Sequence, residues 1–290
     1  MEKKEKKNGC PTVREALASG EQYLAGCGIT DAAVDAWLLL EYVTGISRAR
    51  FLADRELPME QEACKRYTEL LRQRGGHIPL QHLTGEQEFM GFPFLVNSHV
   101  LVPRQDTETL VETALKWLRP GMRVLDLCTG SGCIAVSLWK LCPGIAVDAL
   151  DVSGDALAVA RENGRRMGAQ IGWIQSDLYE AVSQQYEMIV SNPPYIPTAV
   201  IAGLSEEVRL HEPYQALDGK EDGLFFYRRI IAGAAGHLKP GGLLLFEIGY
   251  DQAEAVSELL RAAGYRDIEV VRDLAGHDRV VISRCAGGEP

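Results

Sequence analysis

The chain has 290 residues, 46% hydrophobic and 24% charged, with a formal net charge of −10. That length can bury one large core or two unequal ones; no apolar run reaches the roughly 18 residues of a membrane span, and the acidic balance argues against a broad, non-specific grip on nucleic acid. Its seven cysteines form no CxxC pair and its six histidines no HExxH-type pattern, which predicts free, mostly buried thiols and no structural metal.

The opening MEKKEKKNG is charged and leads into no apolar signal core, so it reads as a loose tail on a cytoplasmic protein. Residues 12–74 carry apolar side chains three and four apart in VREALASGEQYLAGCG, DAAVDAWLLLEYVTG and MEQEACKRYTELLRQRGG, which predicts helices. Thr30 before Asp31 reads as an N-cap, and Pro58 in PME as a helix start. Residues 1–76 are therefore expected to form a small helical domain. From 77 to 102 the chain turns aromatic and β-branched, and EFMGFPFLVNSHVLV is broken by Gly-Phe-Pro. This predicts a linker with a hairpin.

A helix over roughly 106–118 opens the third region, residues 103–290. From 121 onward strands alternate with helices. MRVLDLC, AVDALD, IGWIQSD, YEMIVSN, GLLLFEIG, DIEVVRD and RVVISR read as strands, with amphipathic helices between most of them. Such alternation predicts an α/β fold with a doubly wound, mostly parallel seven-stranded sheet. Only RDLAGHD separates the last two strands, too short for a crossover helix, so they should pair antiparallel. RRMG at 165–168 and YRR at 227–229 are too short for a basic patch and read as solvated helix faces.

Four stretches suggest a ligand. In VLDLCTGSGCIAV a strand ends near Asp126 and a Gly-rich turn, Cys128 to Gly132, leads into a helix. Glycines there let a backbone approach a ligand closely, although the pattern is neither GxGxxG nor a P-loop. A turn without a ligand is the plain alternative. Asp151 ends the next strand, where a carboxylate can accept both hydroxyls of a ribose or simply cap a helix. Asp148, inside that strand, is the weaker candidate. Asp177 ends the third strand and either accepts from an adenine amino group or makes a turn.

The fourth stretch is SNPPYIP at 191–197. Its two prolines stop a buried strand, and alone they would be only a rigid turn. At the carboxyl end of a parallel sheet, Asn192 faces a ligand's reactive end. The Asn192 amide oxygen and the Pro193 carbonyl are acceptors that suit a planar NH₂ group. Pro193 and Pro194 hold them rigid, Tyr195 can stack on a planar amide or base, and Ile196 and Pro197 can wall the site.

With NPPY in place, the sequence resembles the class I (Rossmann-like) S-adenosylmethionine-dependent methyltransferases that act on planar nitrogen. More narrowly, it is similar to the bacterial enzymes that N5-methylate the glutamine of the GGQ motif in peptide chain release factors. PRQDTE at 103–108, HEPYQALDGKEDGL at 211–224 and FEIG at 246–249 extend the likeness over nearly all of residues 14–284. The resemblance implies a helical N-terminal domain that docks the release factor. It assigns Cys128, Thr129, Gly130, Ser131 and Gly132 to the cofactor turn and Asp151 to the ribose. Asp177 and Leu178 fall beside the adenine, and Asn192, Pro193, Pro194 and Tyr195 at the glutamine amide, with Asn192 also against the cofactor. Where the family usually has Gly, this chain has Cys128, which places its hold on the cofactor in question.

The reaction so implied is direct in-line methyl transfer in translation termination, leaving S-adenosylhomocysteine and needing no metal. The expected enzyme is monomeric, with no direct DNA binding and no membrane contact. An adenine-N6 methyltransferase acting on DNA or RNA is the alternative, because an exposed adenine amino group has similar geometry. A protein-binding scaffold with a vestigial site is the non-catalytic one.

Overall fold

Thr12 begins the first helix with a reciprocal cap: its hydroxyl accepts from Glu15 N at 3.2 Å, and the Glu15 carboxylate accepts from Thr12 N at 2.9 Å. The computed structural model describes residues 10–286 in two units, one reaching to Gly85 and one beginning at Glu86. The charged tail over residues 1–9 lies outside the described residues.

The first unit is helical: α1 (Val13–Gly26), α2 (Ala32–Thr44), α3 (Arg48–Ala53), α4 (Gln61–Gly75) and α5 (Leu80–Thr84). Leu17, Leu24, Trp37, Leu40, Tyr67 and Leu71 bury the expected apolar faces in one cluster. Arg74 and Asp35, both buried, pair at 2.7 Å and tie α4 to α2. Three local expectations shift. The N-cap position of α2 is Asp31, not Thr30, and it makes no side-chain cap. Pro58 lies two residues before Glu60, the cap position of α4, because its backbone bridges to Thr12. The helical unit continues through α5, where sequence patterning suggested a linker; five residues are too few for periodicity to show.

The second unit opens with the hairpin β1 (Glu86–Phe89) and β2 (Phe92–Leu95), in which Phe89 and Phe94 are buried. Then follow α6 (Gln105–Trp117), β3 (Arg123–Leu127), α7 (Cys133–Leu141), β4 (Ala146–Asp151), α8 (Gly154–Met167), β5 (Ile171–Gln175) and β6 (Tyr186–Ser191). Three short helices cross the next loop: α9 (Thr198–Ile201), α10 (Glu206–His211) and α11 (Tyr214–Leu217). The unit ends with α12 (Phe225–His237), β7 (Leu238–Glu247), α13 (Ala253–Ala262), β8 (Arg266–Arg272) and β9 (Asp278–Arg284).

The seven strands stand in the order β5-β4-β3-β6-β7-β9-β8. Pairing is parallel except around β9, which runs antiparallel to both neighbours. Strand side chains alternate between two cores. Leu243 and Leu245 join Leu110, Val111 and Leu138 on one face; Leu244 and Phe246 join Ile230, Val256 and Leu260 on the other. Chain order reverses between β3 and β6, so the carboxyl ends of these two strands open a crevice.

Candidate active site

The Gly-rich turn leaves β3 at that crevice. Thr129 Oγ1 donates to the buried Asp126 carboxylate at 2.6 Å, and the backbone N–H of Gly130 donates to Asp151 Oδ2 at 2.9 Å. Asp151 Oδ1 accepts from Ser153 N at 2.9 Å. One carboxylate at the end of β4 thus braces the turn and the start of α8. Burial raises its pKa, against the hydrogen bonds from Ser153 and Gly130. Asn163 of α8, fully buried, clamps the other side: its amide donates to Ser131 O at 2.9 Å and Leu95 O at 3.0 Å and accepts from Leu95 N at 2.7 Å. No local pattern singles out this Asn, since its partners lie 32 and 68 residues away.

Two glycines in the turn do different work. Gly130, at φ +53°, has no atom within 4 Å of where a Cβ would stand, so its backbone faces open space. Gly132 caps α7 at φ +79°, and a Cβ would come within 3.0 Å of Trp173 and 3.1 Å of Ala160. It serves helix packing and does not line the cleft. Cys128 adopts φ +60°, a conformation that favours glycine. Desolvation, reinforced by Asp151 and Asp126, pushes its thiol well above the ordinary range. Cys133, raised to about 12 by burial, is the only buried cysteine among the described residues; the other six are half-buried, fewer buried thiols than composition suggested.

The cleft holds about 1020 Å³ of empty space, open solvent at its mouth included. Its walls bring together Cys128, Thr129, Gly130, Ser131, Asp151, Asp177, Leu178, Asn192 and Pro194 from distant parts of the chain. Asp177 accepts from the two terminal nitrogens of the Arg229 guanidinium, at 3.0 and 3.1 Å. YRR is a solvated face only in part: Arg228 is exposed, Arg229 is half-buried on Asp177, and Tyr227 is fully buried with its hydroxyl donating to Glu247 O at 2.9 Å. Leu178 is buried at φ +51°.

Across the crevice, Asn192 follows β6 directly. Its Nδ2 donates to Thr107 Oγ1 of α6 at 3.3 Å. Pro193 is buried, and Tyr195 points its hydroxyl toward Glu247, 3.5 Å from Oε1. Of NPPY only Asn192 and Pro194 line the cleft; Ile196 and Pro197 do not, because they pack on the following loop. There Ile196 exchanges backbone hydrogen bonds with Leu217 and Gly219, Thr198 donates to Asp218 at 2.6 Å, and Gln252 Nε2 donates to Tyr195 O at 3.0 Å. The packing is close: a Cβ on Gly219 would come within 2.7 Å of the Tyr195 backbone. The loop is further anchored by the buried Glu212, which accepts from Arg104 at 2.6 Å.

Residues 15–85 match the PrmC N-terminal domain family, and residues 105–203 match the Methyltransferase small domain family. A release factor glutamine methyltransferase of Moorella thermoacetica is 44% identical over 278 residues, covering 94% of this chain and 98% of the relative. One from Bordetella pertussis is 46% identical over 251 residues, covering 85% and 93%. This chain belongs to the release factor glutamine methyltransferase family. A solved methyltransferase of Pyrococcus furiosus shares the fold at 18% identity and a TM-score of 0.52, over 68% of this chain and 91% of that one. Membership gives PRQDTE a structural content. Arg104 anchors the 212 loop, Asp106 pairs with Arg279 at 3.2 Å, Thr107 meets Asn192, and Glu108 accepts from Met90 N in the hairpin turn at 2.5 Å. PRQDTE and FEIG contain Arg104, Thr107 and Glu247 but give them no role by themselves, and Asn163 lies in no quoted signature.

Proposed function

We propose that this chain transfers a methyl group from S-adenosylmethionine to the side-chain amide nitrogen of the glutamine in the GGQ segment of a peptide chain release factor. The observation that carries the reading is one cleft shared by the Gly-rich turn and Asn192, at the reversal of strand order between β3 and β6.

The residues present fit the cofactor. Gly130 offers backbone over open space, Asp151 offers carboxylate lone pairs for ribose hydroxyls, and Asp177 and Leu178 give a polar edge and an apolar wall for adenine. Bound there, S-adenosylmethionine supplies an electrophilic methyl group.

The chain's own task is to make a poor nucleophile reactive. An amide nitrogen shares its lone pair with the carbonyl. Asn192 Oδ1, on the cleft wall, and the carbonyl of Pro193, the buried residue between the lining residues Asn192 and Pro194, accept the two amide hydrogens, orient the nitrogen and stabilise positive charge as it grows there. Rigid prolines and the Gln252 bond to Tyr195 O hold these acceptors in place before reaction, which lowers the reorganisation required. A proton leaves after attack, so no strong base is required beforehand.

The helical unit is the proposed docking element for the release factor. Val34, Leu38 and Tyr42 stand four residues apart on α2 and are exposed by 55%, 38% and 42%, an apolar stripe suited to a protein partner. Leu38→Asp should raise KM for the whole release factor more than for a short GGQ peptide; an equal change for both removes the docking role.

The test of the activity is methyl transfer from labelled cofactor to three substrates: a release factor, its Gln→Ala form, and adenine-containing DNA or RNA. Label is expected on the first alone. Label persisting on the Gln→Ala form, or appearing only on nucleic acid, rejects the assignment.

A further inference from the structure

Glu247, the last residue of β7, is 2% exposed and outside the cleft lining; β6 and β7 pair Ser191 with Phe246, so Asn192 and Glu247 are the next residues along these neighbouring strands. Hydrogen bonding from Thr107 and from Asn192 stabilises its charged form. Its Oε2 is enclosed without a partner at full hydrogen-bonding geometry, and Tyr195 stands at the limit of reach of Oε1. A buried carboxylate oxygen with so little satisfaction is costly and calls for an account.

The account lies in the near-symmetry of an amide. The oxygen and NH₂ of Asn192 have similar shapes, so packing alone hardly selects between the two flipped orientations; the hydrogen-bond partners do. Behind Asn192 stand two acceptors, the Thr107 hydroxyl oxygen and the Glu247 carboxylate. They take the NH₂ side, with Nδ2 on Thr107 at 3.3 Å, and Oδ1 is left for the cleft. The opposite orientation would aim a donor at the substrate's own NH₂ group, and the grip on the amide would be lost. We infer that Glu247 is a positioning residue, which together with Thr107 fixes the Asn192 amide so that its oxygen faces the reacting glutamine. This rests on the proposed role of Asn192 and goes beyond it, since it names what orients that side chain.

The charges around Glu247 make the device pH-sensitive. Asp106 approaches from α6 and Arg279 from β9, Tyr195 follows β6, Tyr227 approaches from α12, and Cys133 and Asp126 lie on the α7 and β3 side. Burial raises the carboxyl to about 7, against Thr107, Arg279 and Asn192 and with Asp106. Below that value the group is protonated, loses its charge and carries an O–H on one oxygen, so it is a weaker acceptor and the hold on Nδ2 weakens.

The experiment is kcat against pH, with cofactor affinity by calorimetry, for wild type, Glu247→Gln, Thr107→Val, Thr107→Ser, Asn192→Ala and the Asn192→Ala/Glu247→Gln double variant. Wild-type kcat should fall on the acid side with an apparent pKa near 7. Glu247→Gln should lower kcat about 10- to 100-fold at pH 8, the scale of a lost charge-assisted hydrogen bond, with cofactor affinity kept and the acid limb gone. Thr107→Val should behave alike and Thr107→Ser like wild type; this pair keeps the test usable if Glu247→Gln does not fold. Glu247→Gln should cost nothing more once Asn192 is Ala. Wild-type kcat and acid limb in Glu247→Gln, or a loss that adds in full to that of Asn192→Ala, overturns the inference. Wild-type turnover in Asn192→Ala overturns instead the underlying reading of Asn192.

Discussion

The Asp151 carboxylate accepts the backbone N–H of Gly130 at 2.9 Å, joining the end of β4 to the turn after β3. Its other oxygen accepts from Ser153 N, so the group also shapes the start of α8. Asp151→Ala removes both bonds and the acceptors offered to a ribose. Cofactor affinity should fall about 10- to 100-fold, at 1.5 to 3 kcal/mol for hydrogen bonds to a charged group. Titration calorimetry decides this, and an unchanged Kd removes Asp151 from the binding site.

Cys128 stands at φ +60°, where a Cβ is strained. Cys128→Gly relieves roughly 1 to 2 kcal/mol of that strain and forfeits about 0.5 to 1 kcal/mol to the freer unfolded chain, so thermal stability should hold or rise slightly. Cys128→Ala keeps the Cβ and should change stability little. Both variants should retain turnover, because the raised thiol pKa leaves little thiolate and direct transfer needs no enzyme nucleophile. A collapse of kcat in Cys128→Ala, with the fold and cofactor affinity intact, would contradict this.

Asp126 is fully buried, with Oδ1 unpartnered and its pKa raised to about 7 by burial, against the bond from Thr129. An unfolded Asp titrates near ~3.9. Between these values the folded state binds the extra proton, so this group's contribution to stability is full below pH ~4 and is lost as pH rises through about 7. Asp126→Asn should flatten that part of the profile. Urea unfolding at pH 5 and pH 8 should show a smaller difference for the variant than for wild type; an equal difference refutes the assignment.

Arg104 reaches the carboxylate of Glu212, whose side chain is 1% exposed, at 2.6 Å. Burial raises the Glu212 pKa, and Arg104 works against it. Arg104→Ala leaves a buried acid without its partner and should cost about 3 kcal/mol locally. The segment from α10 to α11 should loosen first. Amide exchange over 206–217 should quicken while the sheet strands stay protected; unchanged exchange there would show that the anchor lies elsewhere.

Sequence patterning alone determined the succession of strands and long helices in the second unit, though not the short helices α9, α10 and α11 or the order of the strands. Strand and helix periods differ, 2.0 against 3.6, and each element is long enough to show its own. The short gap before the final strand likewise announced the antiparallel edge, since no crossover fits in it. NPPY, Asp151 and the Gly-rich turn were legible because each is a local departure at a strand end. The tertiary structure decided what lies between them. Asn163 contacts Leu95 and Ser131, Glu247 stands behind Asn192, and Arg229 holds Asp177 across 52 residues. Asn163 and Arg229 have no local signature, and FEIG marks Glu247 without showing its task, because a buried Asn or Glu is explained only by the acceptors and donors that folding brings to it. The strain at Cys128 belongs to the same class: the residue type is plain in the sequence, but φ is set by the turn that β3, β4 and α7 jointly impose.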